Sequence, residues 1–321
     1  MNATEIVAVT SRSFSKNKFL VGELKKKYSN VILNETGKTL RDDSLIEFLK
    51  SADKVIIGIE DLSAANLSKL SNLRVISKYG VGLNNIDLDF CKANGIKLGF
   101  VPGVNKQSVA ELTLTLILIG LKKIHQNHFE IRQGEWPQTK GYELKGKTVG
   151  ILGFGNIGQT LAQLLSPFQC KINFFDVRNF QIDELDNFCL KNHIDIKNIN
   201  QKSMNDVLVE SDIISIHLPL NDETEDMINA DVLSKLKPSA VIVNTARGGI
   251  VVEEDLANFL RIYDDSFAAF DVFKEEPVIN NNLFNLKNFF GTSHRSSLTY
   301  EGINSMGMAA IKGLDDNIEI K

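Results

Sequence analysis

Residues 148–165, TVGILGFGNIGQTLAQLL, restrict the possible folds more than any other stretch. Thr148–Leu152 is a short apolar run of buried-strand type that stops at Gly153-Phe154-Gly155-Asn156-Ile157-Gly158. Leu161, Leu164 and Leu165 then recur at helical spacing, so the segment reads as strand, tight turn, helix. In that geometry the first glycine permits the turn out of the strand. The second lets a pyrophosphate approach the backbone, and the third lets the helix pack against the strand. The helix N-terminus adds free N–H groups and the positive end of its dipole. A second strand, 171–175, ends at Asp176, where a carboxylate accepts hydrogen bonds from ribose hydroxyls. A glycine pattern alone is weak. Together with both strands, the helix and the acid, it points to a dinucleotide site for NAD. Asp176 would repel a 2′-phosphate, and the nearby Arg178 weakens that preference slightly.

The chain of 321 residues is long enough for two domains. Hydrophobic residues make up 43% and charged residues 24%, as in a soluble globular protein. A net charge of −4 with no Lys/Arg block argues against a general nucleic-acid surface. The N-terminus has no basic head followed by an apolar core, so no secretory signal is expected. The longest apolar stretch, around 112–121, carries threonines and is too short to span a bilayer. Cys91, Cys170 and Cys189 are far apart and odd in number. They fit reduced thiols in a cytoplasmic protein better than a disulfide frame or a metal site.

Taken in order, strands are expected at 5–10, 31–33, 54–59, 72–77 and 97–100, with helices near 18–27 and 44–50. Their alternation implies a parallel sheet, and hence an α/β unit of its own up to about Pro102. The fourth strand runs into Tyr79-Gly80-Val81-Gly82, where two glycines expose N–H groups at a strand's carboxyl end. A carboxylate cradle and an ordinary turn are equally compatible with that. A long helix is expected over 103–124, apolar nearly all round and hence buried, in part against a second subunit. Ser108 and Glu111 have capping-box spacing. His125 and His128 follow at i, i+3 with no acid or cysteine cluster, so they read as a solvated helix end and not as metal ligands. Beyond the glycine turn, strands are expected at 212–217, 240–244, 266–270 and 288–290. Helices are expected ending at 206–211 and over 224–236, 253–260 and 299–314.

Hydride chemistry needs a proton carrier titrating near neutrality and a cation for an anionic substrate. His193 lies in a polar connection, whereas His217 and His294 both lie near strand carboxyl ends, and spacing does not choose between them. Arg247 sits among small residues after a buried-looking strand, a costly place for a guanidinium that meets no anion. On spacing alone Glu276 reads as a loop carboxylate beside Glu275, although it has the chemistry to raise the pKa of a histidine.

Seven segments in order carry a resemblance along nearly the whole chain: KYGVGLNNID (78–87), VNKQSVAELTL (104–114), ELKGKTVGILGFGNIG (143–158), HLPLNDET (217–224), NTARGGIVVEEDL (244–256), FDVFKEEP (270–277) and TSH (292–294). The chain resembles the D-isomer-specific 2-hydroxyacid dehydrogenases. The resemblance implies two doubly wound parallel-sheet domains: a flavodoxin-like substrate domain, 1–102 plus 292–321, and an inserted Rossmann NAD-binding domain, 103–291. It gives Arg247 substrate binding, Glu276 the tuning of a histidine, and His294 the acid/base role. Tyr79, Gly80, Val81 and Gly82 would hold the substrate carboxylate, and Asn105 would shape the hinge side of the cleft. The residues expected around NAD are Gly153, Phe154, Gly155, Asn156, Ile157, Gly158, Asp176, Val177, Arg178, His217, Leu218, Pro219, Thr224, Thr245, Ala246, Arg247, Asp271 and His294. A homodimer is also implied.

The chain departs from the family pattern in two places. Arg295-Ser296-Ser297 follows His294 where the family has a small apolar residue and glycine, and Asn84 stands where an acid is expected. Arg12, Lys16 and Arg295 read first as solvated charges and second as contacts for an anionic tail such as that of 3-phosphoglycerate. The alternative activities are phosphite oxidation and a non-catalytic NAD(H)-sensing role. Formate oxidation is disfavoured because formate enzymes of the family carry an amide where Glu276 stands.

Overall fold

A computed structural model describes residues 2–320. The chain divides into two units, 1–105 with 298–321, and 106–297. The first holds a five-stranded sheet: β1 (Asn2–Val9), β2 (Tyr28–Leu33), β3 (Lys54–Ile57), β4 (Val75–Lys78) and β5 (Lys97–Gly99), in the order β2-β1-β3-β4-β5. Every pairing is parallel. The flavodoxin-like order puts its switch point between β1 and β3. Alternate residues enter cores on opposite faces, Val7, Val9 and Ile56 on one and Ala8, Val55 and Ile57 on the other. The C-terminal helix Tyr300–Gly313 supplies Met306, Ala310 and Ile311 to the first of these cores.

The second unit holds seven parallel strands: β6 (Thr148–Leu152), β7 (Lys171–Phe175), β8 (Ile199–Gln201), β9 (Ile213–Ile216), β10 (Val241–Asn244), β11 (Phe267–Phe270) and β12 (Phe289–Gly291). Their order, β12-β11-β10-β9-β6-β7-β8, is the Rossmann arrangement extended by one strand. The switch point lies between β6 and β9, the strands that end in the glycine turn and in His217.

Several expectations are corrected. The boundaries fall at 105/106 and 297/298 rather than 102/103 and 291/292. Residues 292–296 are tied by hydrogen bonds to Asp271, so His294 belongs to the second unit. The helix expected over 103–124 covers Lys106–Lys122. Lys123, with φ of +52°, breaks it from a second helix, Ile124–Arg132. Ser108 forms no capping box with Glu111: its hydroxyl donates to Ser296 O, while Glu111 accepts from Gln107. The region 224–236 is helical only over Ala230–Leu233, because Ile228 is pulled into a bridge with Val251. His125 is not a solvated end. Its Nε2 lies 2.8 Å from Lys287 O, and its ring packs 4.7 Å from that of Phe267.

Candidate active site

The glycine turn after β6 is built by close approach. Gly153 has φ of +94°, and a Cβ there would lie 2.6 Å from His217 O. Only glycine accommodates both the conformation and the neighbour. A Cβ on Gly158 would lie 2.3 Å from Gly153 O, which seats the helix Asn156–Leu165 against the turn. At Gly155, by contrast, a Cβ would meet nothing within 4 Å, so the space over the helix N-terminus is open. No side chain caps this helix, and its first N–H groups are left for an anion. Phe154 itself enters the core, its ring stacked 3.9 Å from that of Phe174, so only its backbone shapes the turn. Asp176 ends β7 and accepts from Phe154 N at 2.7 Å and Arg178 N at 2.9 Å. Four lone-pair sites on a carboxylate leave room for ribose hydroxyls as well. The Arg178 guanidinium pairs with Glu184 at 2.6 Å and stacks 4.0 Å over Phe180, while Val177 is 86% exposed.

His217 follows β9. Its Nε2 lies 2.8 Å from Ser215 Oγ, and its Nδ1 is buried without a partner. Burial pushes its pKa down to about 3, so the ring stays neutral at ordinary pH and is no proton carrier. Leu218 is buried and Pro219 exposed. Thr224 braces this turn by donating to Pro219 O at 2.6 Å. A dinucleotide fits this end of the sheet. The open cradle over Gly155 suits phosphates, Asp176 suits a ribose, and the orphaned His217 Nδ1 awaits a polar partner.

β10 ends in Asn244, whose side chain clasps the turn after it. Its Oδ1 accepts from Ala246 N at 3.0 Å, and its Nδ2 donates to Arg247 O at 2.9 Å. Thr245 is anchored by a 2.8 Å contact with Thr113 Oγ1. Arg247 Nη1 donates to Ala246 O at 2.7 Å, leaving the rest of the guanidinium with no hydrogen-bond acceptor among the described residues. Burial holds its pKa below the ordinary arginine value, opposed by the Glu276 charge. A Cβ on Gly248 would lie 1.9 Å from Phe273 O, so this glycine lets the Arg247 loop lie directly against the loop that carries Glu276.

Glu276 Oε1 accepts from Phe273 N at 3.0 Å, and Oε2 accepts from His294 Nδ1 at 2.7 Å. Burial works to raise its pKa. The His294 and Phe273 hydrogen bonds and the charges of His294 and Arg247 outweigh burial and leave the carboxylate below its usual range. His294 shifts the other way. The Glu276 hydrogen bond raises it most, the Glu276 and Asp271 charges add to that, and burial and Arg247 oppose. A carboxylate only accepts, so Nδ1 carries the hydrogen. Nε2 has no hydrogen-bond partner among the described residues, and the side chain is 46% exposed. The pair thus fixes the tautomer and leaves the second nitrogen to meet a reacting oxygen.

Asp271 was expected beside the cofactor, but it is fully buried and engaged within the chain. Its carboxylate accepts from Thr292 Oγ1, Arg295 N and Ser296 N, and its backbone oxygen accepts from His294 N. These bonds hold His294 at φ of +49°, a left-handed conformation unusual for a side-chain-bearing residue. The unusual Arg295-Ser296 pair is therefore accommodated by backbone contacts, and the Arg295 side chain is exposed. In the first unit, Tyr79–Gly82 follow β4, with Tyr79 N bonded to Ile57 O at 2.9 Å and Gly80 at φ of +138°. Asn105 is buried with its Oδ1 unpartnered, while Arg12 and Lys16 are exposed. Sequence reasoning missed Asn244, Gly248 and the bracing role of Asp271. The signal for the first two was the clustering of small residues around one arginine.

Residues 114–296 match the family described as D-isomer specific 2-hydroxyacid dehydrogenase, NAD binding domain. The chain is 31% identical over 300 residues to hydroxypyruvate reductase of Thermotoga maritima, covering 90% of this chain and 94% of that protein. It is 33% identical over 280 residues to glyoxylate reductase of Thermococcus litoralis, covering 84% and 82%. The structure of an NAD-dependent formate dehydrogenase from Staphylococcus aureus, in complex with NAD, matches with a TM-score of 0.79. Its sequence identity is 27%, over 96% of this chain and 93% of that one. Fold and cradle therefore define an NAD-dependent oxidoreductase. The chain belongs to the D-isomer-specific 2-hydroxyacid dehydrogenase family.

Proposed function

We propose that this enzyme interconverts a small D-2-hydroxy acid and its 2-keto acid. Arg247 would bind the substrate, His294 would act as the acid/base, and Glu276 would tune the histidine. The observation that carries the reading is the His294–Glu276 pair with Nε2 left open, beside a guanidinium whose charge acts on both. NAD, when bound, supplies or accepts the hydride. Arg247 holds the carboxylate and draws electron density toward the C2 oxygen. In reduction, protonated His294 gives its Nε2 proton to that oxygen as negative charge develops there. In oxidation, the neutral ring takes the proton back, and Glu276 steadies the resulting imidazolium. A purely NAD-sensing protein has no use for a histidine whose pKa is raised beside a guanidinium. A second reading, an anionic tail on the substrate, rests on the exposed Arg295 side chain one residue from His294.

The test is loss of NADH absorbance with glyoxylate, pyruvate, hydroxypyruvate and 3-phosphohydroxypyruvate, and its gain with NAD and phosphite, each across pH. At least one keto acid should be reduced, and preference for the phosphorylated one supports the tail. Reductive kcat/KM should be flat at low pH and fall as pH rises through the raised pKa of His294. Glu276→Gln should move that falling limb to lower pH, because burial and Arg247 are then opposed only by the Asp271 charge. A limb that stays in place removes Glu276 from the mechanism, and silence with every keto acid removes the reading.

We also propose a homodimer. The helix Ile124–Arg132 buries none of its residues, and Ile124, Phe129 and Phe284 line an apolar groove beside it. Sedimentation equilibrium should give twice 35.7 kDa, and a monomer mass removes the proposal.

A further inference from the structure

We propose that Lys78 is a positioning residue for substrate binding, its buried ammonium clasping the base of the Tyr79–Gly82 loop. The inference rests on the reading of that loop as the carboxylate site. Lys78 ends β4 and is only 7% exposed. Its Nζ donates to Gly58 O at 2.6 Å and to Asn85 Oδ1 at 2.6 Å. Lys78 immediately precedes the loop and Asn85 follows it, so their contact joins the loop's two ends. Asn85 is fixed in turn, its Nδ2 donating to Glu60 O at 2.6 Å and its backbone oxygen accepting from Leu62 N at 2.8 Å. The segment after β3 is itself pinned by Glu60, 3% exposed, whose Oε2 accepts from Thr10 Oγ1 at 2.7 Å and Gly58 N at 3.1 Å. The network therefore links the carboxyl ends of β1, β3 and β4, where ligands of open α/β sheets bind.

Burying an ammonium is costly unless it is well hydrogen-bonded, and an apolar side chain would fill the same space without that cost. What lysine adds is a rigid loop, through donors that reach both Gly58 O and Asn85 Oδ1. The Lys78 stem lies under the loop, with Cε 3.4 Å from the place a Cβ on Gly80 would occupy. Gly80, at φ of +138°, supplies the backbone conformation that brings the loop over the ammonium. A clasped loop keeps its N–H groups in the geometry a carboxylate needs and avoids ordering them at each binding event.

The experiment compares full-length wild type, Lys78→Met and Asn85→Ala by steady-state kinetics on the best keto acid of the panel, with NADH binding followed by fluorescence. Lys78→Met should raise the keto-acid KM about tenfold or more, the value of a charge-assisted hydrogen-bond set, with kcat within about threefold and NADH Kd unchanged. Asn85→Ala should move KM in the same direction by about threefold or more, and it decides the matter if Lys78→Met does not fold. An unchanged KM in the folded variants, even with a lowered melting temperature, makes the network merely structural and overturns the proposal. A wild-type enzyme inactive on every keto acid overturns the carboxylate-loop reading and this inference with it. Activity in the wild type with no KM effect in the variants overturns the inference alone.

Discussion

Replacing His294 by alanine should lower kcat in both directions by about a thousandfold or more, the usual range for losing a positioned acid/base. NADH Kd should change by no more than about twofold, because a group that acts on the C2 oxygen contributes to the transition state and little to cofactor affinity. Such selectivity follows from how the loop is built. Asp271 holds it through Thr292, Arg295 N and Ser296 N, and through the backbone N–H of residue 294. None of these contacts uses the imidazole, so its removal leaves the loop in place. The backbone at 294 is left-handed, which costs a residue with a Cβ about 1–2 kcal/mol and is tolerated less well by alanine than by histidine. His294→Asn provides a second variant, since asparagine tolerates that conformation better. Stopped-flow measurement of hydride transfer, with NADH titrated by fluorescence, reads both quantities. A variant that keeps more than a tenth of wild-type kcat ends the assignment of His294 as acid/base, and His217 does not replace it. Burial holds that ring neutral, with a pKa of about 3.

The sequence was most legible where period and chemistry agreed. Each expected strand exists, because buried parallel strands read as short continuous apolar runs. Parallel pairing in both sheets follows once strands alternate with helices, while the strand orders are read from the structure. The errors lie where tertiary contacts override local pattern. Thr224–Leu236 has helix-compatible composition, yet the pairing of Ile228 with Val251 is worth more to the chain than an isolated helix. Ser108 and Glu111 have the spacing of a cap, but Ser108 finds the Ser296 carbonyl 188 residues away in sequence. The domain boundary near 292 was misplaced because the anchoring acid, Asp271, reads as an ordinary residue at a strand end. At the candidate site the residue types were readable from the residues themselves, whereas the pairing came only from the family resemblance and not from spacing. Glu276 in a run of acids resembles a surface loop, and only the Phe273 N–H and the His294 ring beside it separate it from Glu275. Gly248 was read as part of a small-residue turn. Its distinct function, the 1.9 Å approach that brings two loops together, exists only in three dimensions.

Arg247→Ala should cost about a thousandfold in kcat/KM for the keto acid, more than the loss of one oxyanion donor because charge and several donors are removed together. The effect should appear in both KM and kcat, since the guanidinium binds the ground-state carboxylate and also the oxygen that gains charge. Arg247→Lys should recover only a small part, because a single ammonium does not reproduce the planar fork. The pH profile separates this role from damage to the fold. The Arg247 charge opposes protonation of His294, whereas Glu276 favours it. Removing the arginine should therefore move the falling limb of reductive kcat/KM to higher pH, opposite to the shift expected for Glu276→Gln. The neutral variant Arg247→Met gives the cleanest reading, as its stem fills the space of the arginine methylenes and Asn244 still clasps the Arg247 backbone oxygen. Large loss of kcat/KM, intact NADH binding and an upward limb together require the guanidinium to face both substrate and histidine. A limb that moves down, or a KM that stays at the wild-type value, places the substrate anion elsewhere and leaves Arg247 as a brace for its own turn.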